Sequence, residues 1–138
     1  MTEHAVLTAE AVDEVVAAAA VENAQGVRPL DDESVQHRLG RGIARLEAAL
    51  STPGMYGRVA IAQTMRDITP DLMDVLGTAS SLPVDTAGAA GDGAAEYIFR
   101  LAGPTGIYGG TLEVFRNMIA QALGLGRPSY SPPTAKKA

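Results

Sequence analysis

Apolar residues recur at spacings of three and four along most of this chain, and nowhere in the strict alternation that marks a half-buried strand. The first helical segment is predicted at residues 8–25, TAEAVDEVVAAAAVENAQ, with Val12, Val15, Val16 and Ala19 on one stripe. Thr8 is placed to cap its start, Glu10 favours the positive end of the helix dipole, and Gly26 ends it. A second helix is predicted at 32–50, where Val35, Leu39, Ile43, Leu46 and Leu50 share a face. Gln36, Arg38, Arg41, Arg45 and Glu47 take its wet side. Gly40 and Gly42 lie within it, each unfavourable by about 1 kcal/mol against Ala; close approach of another helix and simple tolerance both account for them.

STPG at 51–54 breaks the chain, and a third stripe runs over 55–76 through Ile61, Met65, Ile68, Leu72 and Val75. It keeps phase across Pro70, which predicts one kinked helix; the other reading restarts the helix with Thr69 as cap and Pro70 in first position. Residues 77–91 are small and proline-interrupted and read as the one long loop. A short helix at 92–101 carries Tyr97, Ile98 and Leu101, and AGPTGIYGG follows as a loop. The last helix starts near Thr111, with Leu112, Phe115, Ile119, Ala122 and Leu123 on one face and Glu113, Arg116, Asn117 and Gln121 opposite. Connected apolar stripes on four principal helices predict an all-α fold, a four-helix up-and-down bundle over residues 1–127. Residues 128–138 carry no apolar pattern and are expected to form a disordered or extended tail.

Composition narrows the chemistry. Hydrophobic residues make up 46% of the chain but aromatics only 4%, so the core must be aliphatic, which suits packed helices. The absence of cysteine excludes disulfides, thiolate metal sites and thiol nucleophiles. A net charge of −5 argues against nonspecific nucleic-acid binding. No apolar run approaches the roughly 20 residues that span a bilayer, and the N-terminus lacks the pattern of a secretory signal. The expectation is a soluble, cytoplasmic protein.

Candidate reactive groups are few. His4, expected in a frayed terminus, and His37, among polar helix residues, read as solvated. Asp31, Asp32 and Glu33 crowd a helix start, where carboxylates are ordinary, and no metal site is expected from them. Ser80 and Ser81 have no histidine or lysine nearby to activate them. Tyr56, Tyr97 and Tyr108 read as packed rings with exposed tips. GIYGGTLEVFR stands apart: glycines before a helix let backbone N–H groups approach an anion, and a threonine there can cap the helix or donate to a phosphate or ribose oxygen. Gly-Gly-Thr is equally the signature of a turn and an N-cap.

The full stretch IYGGTLEVFRNMIAQALGLGR resembles the C-terminal signature of the acyl-CoA dehydrogenases, I-Y-x-G-T-x-E/Q-I-x-R followed by I-A and L-G-L-x-R. GVRPLDDESVQHRLGRGIARLEA is similar to that family's link between the first two helices of its C-terminal bundle, and DLMDVLG at 71–77 to the end of its third helix. The resemblance covers about residues 10–127. It implies the helical third domain of a flavoprotein subunit whose enzymes remove the α-proton of an acyl-CoA thioester and pass hydride from the β-carbon to FAD. By position it assigns Gly110, Thr111 and Glu113 to a partial FAD contact, and Arg116 to a structural or interface ion pair. It assigns no catalytic residue, because Gly109 occupies the usual position of the glutamate base. The alternative base position on the first helix would precede Met1, and Glu22 falls where a flavin-binding arginine is usual. The family's N-terminal helical and middle β-domains are likewise expected to be missing. The implied role is oligomer packing, as a homo-oligomer or with a larger acyl-CoA dehydrogenase subunit through which acyl-CoA would be met. A noncatalytic partner subunit and an unrelated helical interaction protein are the alternatives.

Overall fold

The computed structural model describes residues 3–126; the tail expected at 128–138 lies outside them. The described residues are all helical, with no strand: α1 Glu3–Ala19, α2 Glu33–Leu50, α3 Gly54–Leu76, α4 Ala94–Thr105 and α5 Leu112–Ala122. Short 3₁₀ turns at Pro29–Asp31, Gly77–Ser81 and Ala90–Gly93 structure the connections. None of these helices is long and apolar enough to cross a membrane. The expected all-α architecture is present, with α3 as its centre: α1, α2, α4 and α5 all pack on it.

The α3 stripe is the spine of the core. Ile61, Met65, Ile68, Leu72 and Val75 are all buried, and the helix runs continuously through Pro70. Ala5, Val12, Val15 and Ala19 of α1, Leu39, Leu46 and Ala49 of α2, and Ala95 of α4 join part of that stripe in one apolar cluster. Met65 belongs instead to a second cluster with Ala11, Ile98 and Ala102. The α2 face is rotated from its predicted one. Leu39, Gly42, Leu46 and Ala49 point inward, whereas Ile43 is 39% exposed. Gly40 faces open space, and a Cβ on Gly42 would meet Ile68 at an ordinary 3.8 Å, so close approach requires neither glycine.

Several boundaries differ from the periodicity. α1 already runs from Glu3, and Thr8 lies inside it, fully buried, its hydroxyl donating to the His4 carbonyl at 2.6 Å. A threonine that bonds back four residues is not an N-cap. α1 stops at Ala19, six residues early, because the Asn23 side chain takes over the following backbone: its Oδ1 accepts from the N–H groups of Gln25 and Val27, both at 3.0 Å. The supposed long loop is organised by Ser80, buried, whose hydroxyl reaches the carbonyls of Met73 and Gly77 at the end of α3. α4 starts later than predicted and continues through Gly103 and Pro104 to Thr105. Ala102 and Thr105 are both buried there, and tertiary packing outweighs the poor helix propensity of the intervening residues.

Charged residues line the seam between α2 and α3. Arg38 donates to Asp71 through Nε and Nη2 at 3.0 and 2.8 Å and to Asp74 through Nη1 at 2.7 Å, while Arg41 Nη2 reaches the other Asp71 oxygen at 2.7 Å. Partial burial by itself would raise the Asp71 carboxyl, but the Arg38 and Arg41 hydrogen bonds outweigh it and hold the group below its ordinary range. Asp31, in the helix-start acidic cluster, is paired with Arg28, and Asp32 caps α2 by accepting from Ser34 N–H at 2.7 Å.

Candidate functional site: the glycine turn before α5

The chain leaves α4 at Thr105 and turns back within six residues to start α5. Pro104 carbonyl accepts from the N–H groups of Ile107 and Tyr108, and Gly106 carbonyl from Leu112 N–H. Reversal this tight needs left-handed backbone: Gly109 has φ +70° and Gly110 φ +116°. At Gly109 a Cβ would project into open space, and the residue carries no group that could take a proton. At Gly110 it would press on the Phe115 ring at 3.3 Å.

Thr111 caps α5 as expected, its hydroxyl oxygen accepting from Val114 N–H at 3.3 Å. Glu113 folds back over the same helix end. Its own backbone N–H and the Thr111 hydroxyl hold its carboxyl below the ordinary range, with Arg116 and Arg66 adding attraction. Arg116 pairs with Glu113 at 3.6 Å and donates to Gln63 Oε1 at 2.9 Å. Gln63 in turn donates to Asp67, which pairs with Arg45 at 3.1 Å. This polar chain ties α5 through α3 to α2.

Three residues that the sequence did not assign to the turn shape it. Arg58 Nη2 donates to the carbonyls of Thr105 at 2.6 Å and Tyr108 at 3.1 Å, and its guanidinium carbon lies 5.5 Å from the Tyr108 ring centroid and 5.4 Å from that of Phe115. Gln63 anchors Arg116. His4 is part of α1, not frayed: its ring lies 5.2 Å from that of Tyr108, tilted, with Nε2 against the tyrosine hydroxyl. The trace available for Arg58 was its phase. It sits three residues before Ile61, on the stripe that continues through Met65, Ile68, Leu72 and Val75, where a cation has no reason to be unless something receives it.

Gly109, Gly110, Thr111 and Glu113 are thus brought together on one turn, Gly109 and Glu113 exposed and Gly110 and Thr111 half-buried, whereas Glu22 is not part of it. Glu22 lies in the turn after α1 and lines a separate cavity of about 510 Å³ with Asn23, Asp74 and Gly77. Among the described residues no group of three potential metal ligands forms. The donors and acceptors of the turn fit part of a dinucleotide. The N–H groups of Gly109, Gly110 and Thr111, which meet no backbone carbonyl among the described residues, and the Thr111 hydroxyl can donate, and the Glu113 carboxylate can accept from sugar hydroxyls, but that same carboxylate repels a phosphate placed against it.

No family model matches the chain, and no curated protein matches it significantly. Among solved structures, it is similar to the crystal structure of the ChsE4-ChsE5 complex from Mycobacterium tuberculosis, with a TM-score of 0.76 and 29% sequence identity. The match covers 91% of this chain and 36% of the other, so this chain spans about a third of its neighbour's length. The described residues form an acyl-CoA dehydrogenase-like helical domain.

Proposed function

We propose that this chain serves as the C-terminal helical domain in an acyl-CoA dehydrogenase-like flavoprotein assembly, contributing oligomer packing and a partial FAD contact to α,β-dehydrogenation of an acyl-CoA thioester in the cytoplasm. The observation that carries the reading is the turn Gly109–Gly110–Thr111, with Gly109 exposed and the other two half-buried at the N-terminus of α5, in a fold of this type. FAD, when bound, supplies the hydride acceptor; Gly110, Thr111 and Glu113 would hold its adenosine end by backbone and hydroxyl donation and by carboxylate acceptance. Gly109 cannot take the α-proton. The base must therefore come from elsewhere in the assembly, and acyl-CoA is met through a partner.

Two features support a partner subunit. Val114, Met118, Leu123 and Leu125 on α5 and just beyond it, with Ile107 in the turn, are all exposed. Exposed apolar residues in such number along one element mark an interaction surface. The structural neighbour is itself a complex of two different chains. The test is co-purification from the native source followed by a visible absorption scan for flavin. A larger flavoprotein subunit is expected to accompany the chain, with flavin in the complex and with no turnover of acyl-CoA by the chain alone in the presence of FAD and an electron acceptor. FAD-dependent turnover by the isolated chain would overturn the noncatalytic role, and a complex devoid of flavin would overturn the cofactor contact.

A further inference from the structure

Arg58 sits where an apolar side chain would satisfy the core pattern, yet it reaches four separate features of a loop 47 to 57 residues away in sequence. Nη2 bridges the carbonyls at the two ends of the α4 exit, Thr105 and Tyr108. The guanidinium lies between the Tyr108 ring before the glycines and the Phe115 ring after them, both within cation–π range. Nη1 is shut off from solvent and meets no acceptor among the described residues. The Phe115 ring that Arg58 holds is also the one against which Gly110 rests.

We infer that Arg58 is the positioning residue of the glycine turn, fixing its backbone from α3 so that the N–H groups of Gly109 and Gly110, together with Thr111 and Glu113, face the ligand in one arrangement. The guanidinium holds both carbonyls, the Ile107 and Tyr108 N–H groups turn back to the Pro104 carbonyl, and those of Gly109, Gly110 and Thr111 meet no backbone carbonyl among the described residues. Tyr108 extends the clamp to His4, so the start of α1 braces the same turn. Thr111 and Glu113 make the ligand contact; Arg58 acts only through them. This inference rests on the cofactor reading above for the identity of the ligand, though the clamp itself does not.

The experiment compares Arg58→Met and Arg58→Lys with the unaltered full-length chain by amide hydrogen exchange and by FAD titration. In Arg58→Met, exchange at Tyr108, Leu112 and Val114 should quicken about tenfold or more, as expected when a local opening becomes easier, while Val15 and Leu72 keep their protection. Arg58→Lys retains a cation at the rings and a single donor nitrogen, and should restore part of the protection. FAD affinity should weaken about tenfold in Arg58→Met and recover in part in Arg58→Lys, in step with protection. Unchanged exchange in the turn overturns the clamp. So does a uniform loss of protection across α1 and α3 in both variants, which would make Arg58 a structural residue only. If the unaltered chain and its complex bind no FAD, the cofactor reading fails while the exchange data still decide the role of Arg58.

Discussion

Asp71 and Arg38 form a part-buried ion pair joined by two donor atoms on one oxygen. Because the folded Asp71 carboxyl titrates below its unfolded value of about 3.9, its contribution is fully present above that pH and is lost as pH falls through the folded value. Arg38→Gln should therefore lower stability at neutral pH by about 1 kcal/mol and shrink the loss that wild type suffers below about pH 4, measured by urea unfolding across that range. Two glycines give opposite signs. Gly40 is helical with open space around it, so Gly40→Ala should raise stability by about 1 kcal/mol. Gly93 has φ +73° and a Cβ there would lie 2.4 Å from Val84 nitrogen, so Gly93→Ala should lower it by about 2 kcal/mol or more. Thermal unfolding separates the two directions.

α5 is an 11-residue helix with Leu112 as its only buried residue, at 1% exposure. Isolated helices of this length are marginal in water, so α5 depends on that anchor, on the Thr111 cap and on the Arg116–Gln63 bond. Leu112→Ala should detach α5 locally. Its own amides, from Phe115 onward, lose protection while those of α2 and α3 hold, which exchange mass spectrometry resolves. Thr111→Ala should weaken the helix by about 1 kcal/mol, a smaller and graded loss of the same protection. Much of this element was legible beforehand: the Gly-Gly turn, the threonine cap and the apolar Leu112 are all written within a few residues. Its predicted buried face was not borne out toward the end, where Ala122 and Leu123 are exposed. Periodicity marks an apolar face without saying whether this chain or another one covers it.

The described chain leaves that outer surface of α5 uncovered while α3 gathers the other four helices around itself. On the proposed reading the uncovered residues are met by a partner. Met118→Lys should leave thermal stability within about 0.5 kcal/mol of wild type, as surface substitutions do, and should abolish co-purification of the partner subunit. Retained association in that variant would move the interface away from α5.

What the sequence by itself determined is local: the stripe of α3, the existence of helices elsewhere, the acidic start of α2, the Thr111 cap and the glycine turn before α5. These depend on side chains within a turn or two of one another, where spacing alone sets the geometry. The tertiary structure decided what depends on distant partners. It turned Ile43 outward on α2, carried α4 through Pro104 to bury Thr105, and gave Arg58 at the head of the α3 stripe its receivers in Thr105, Tyr108 and Phe115. It also brought His4 to Tyr108 across 104 residues. Such contacts form only once the bundle has closed, and no spacing along the chain encodes which surfaces then meet.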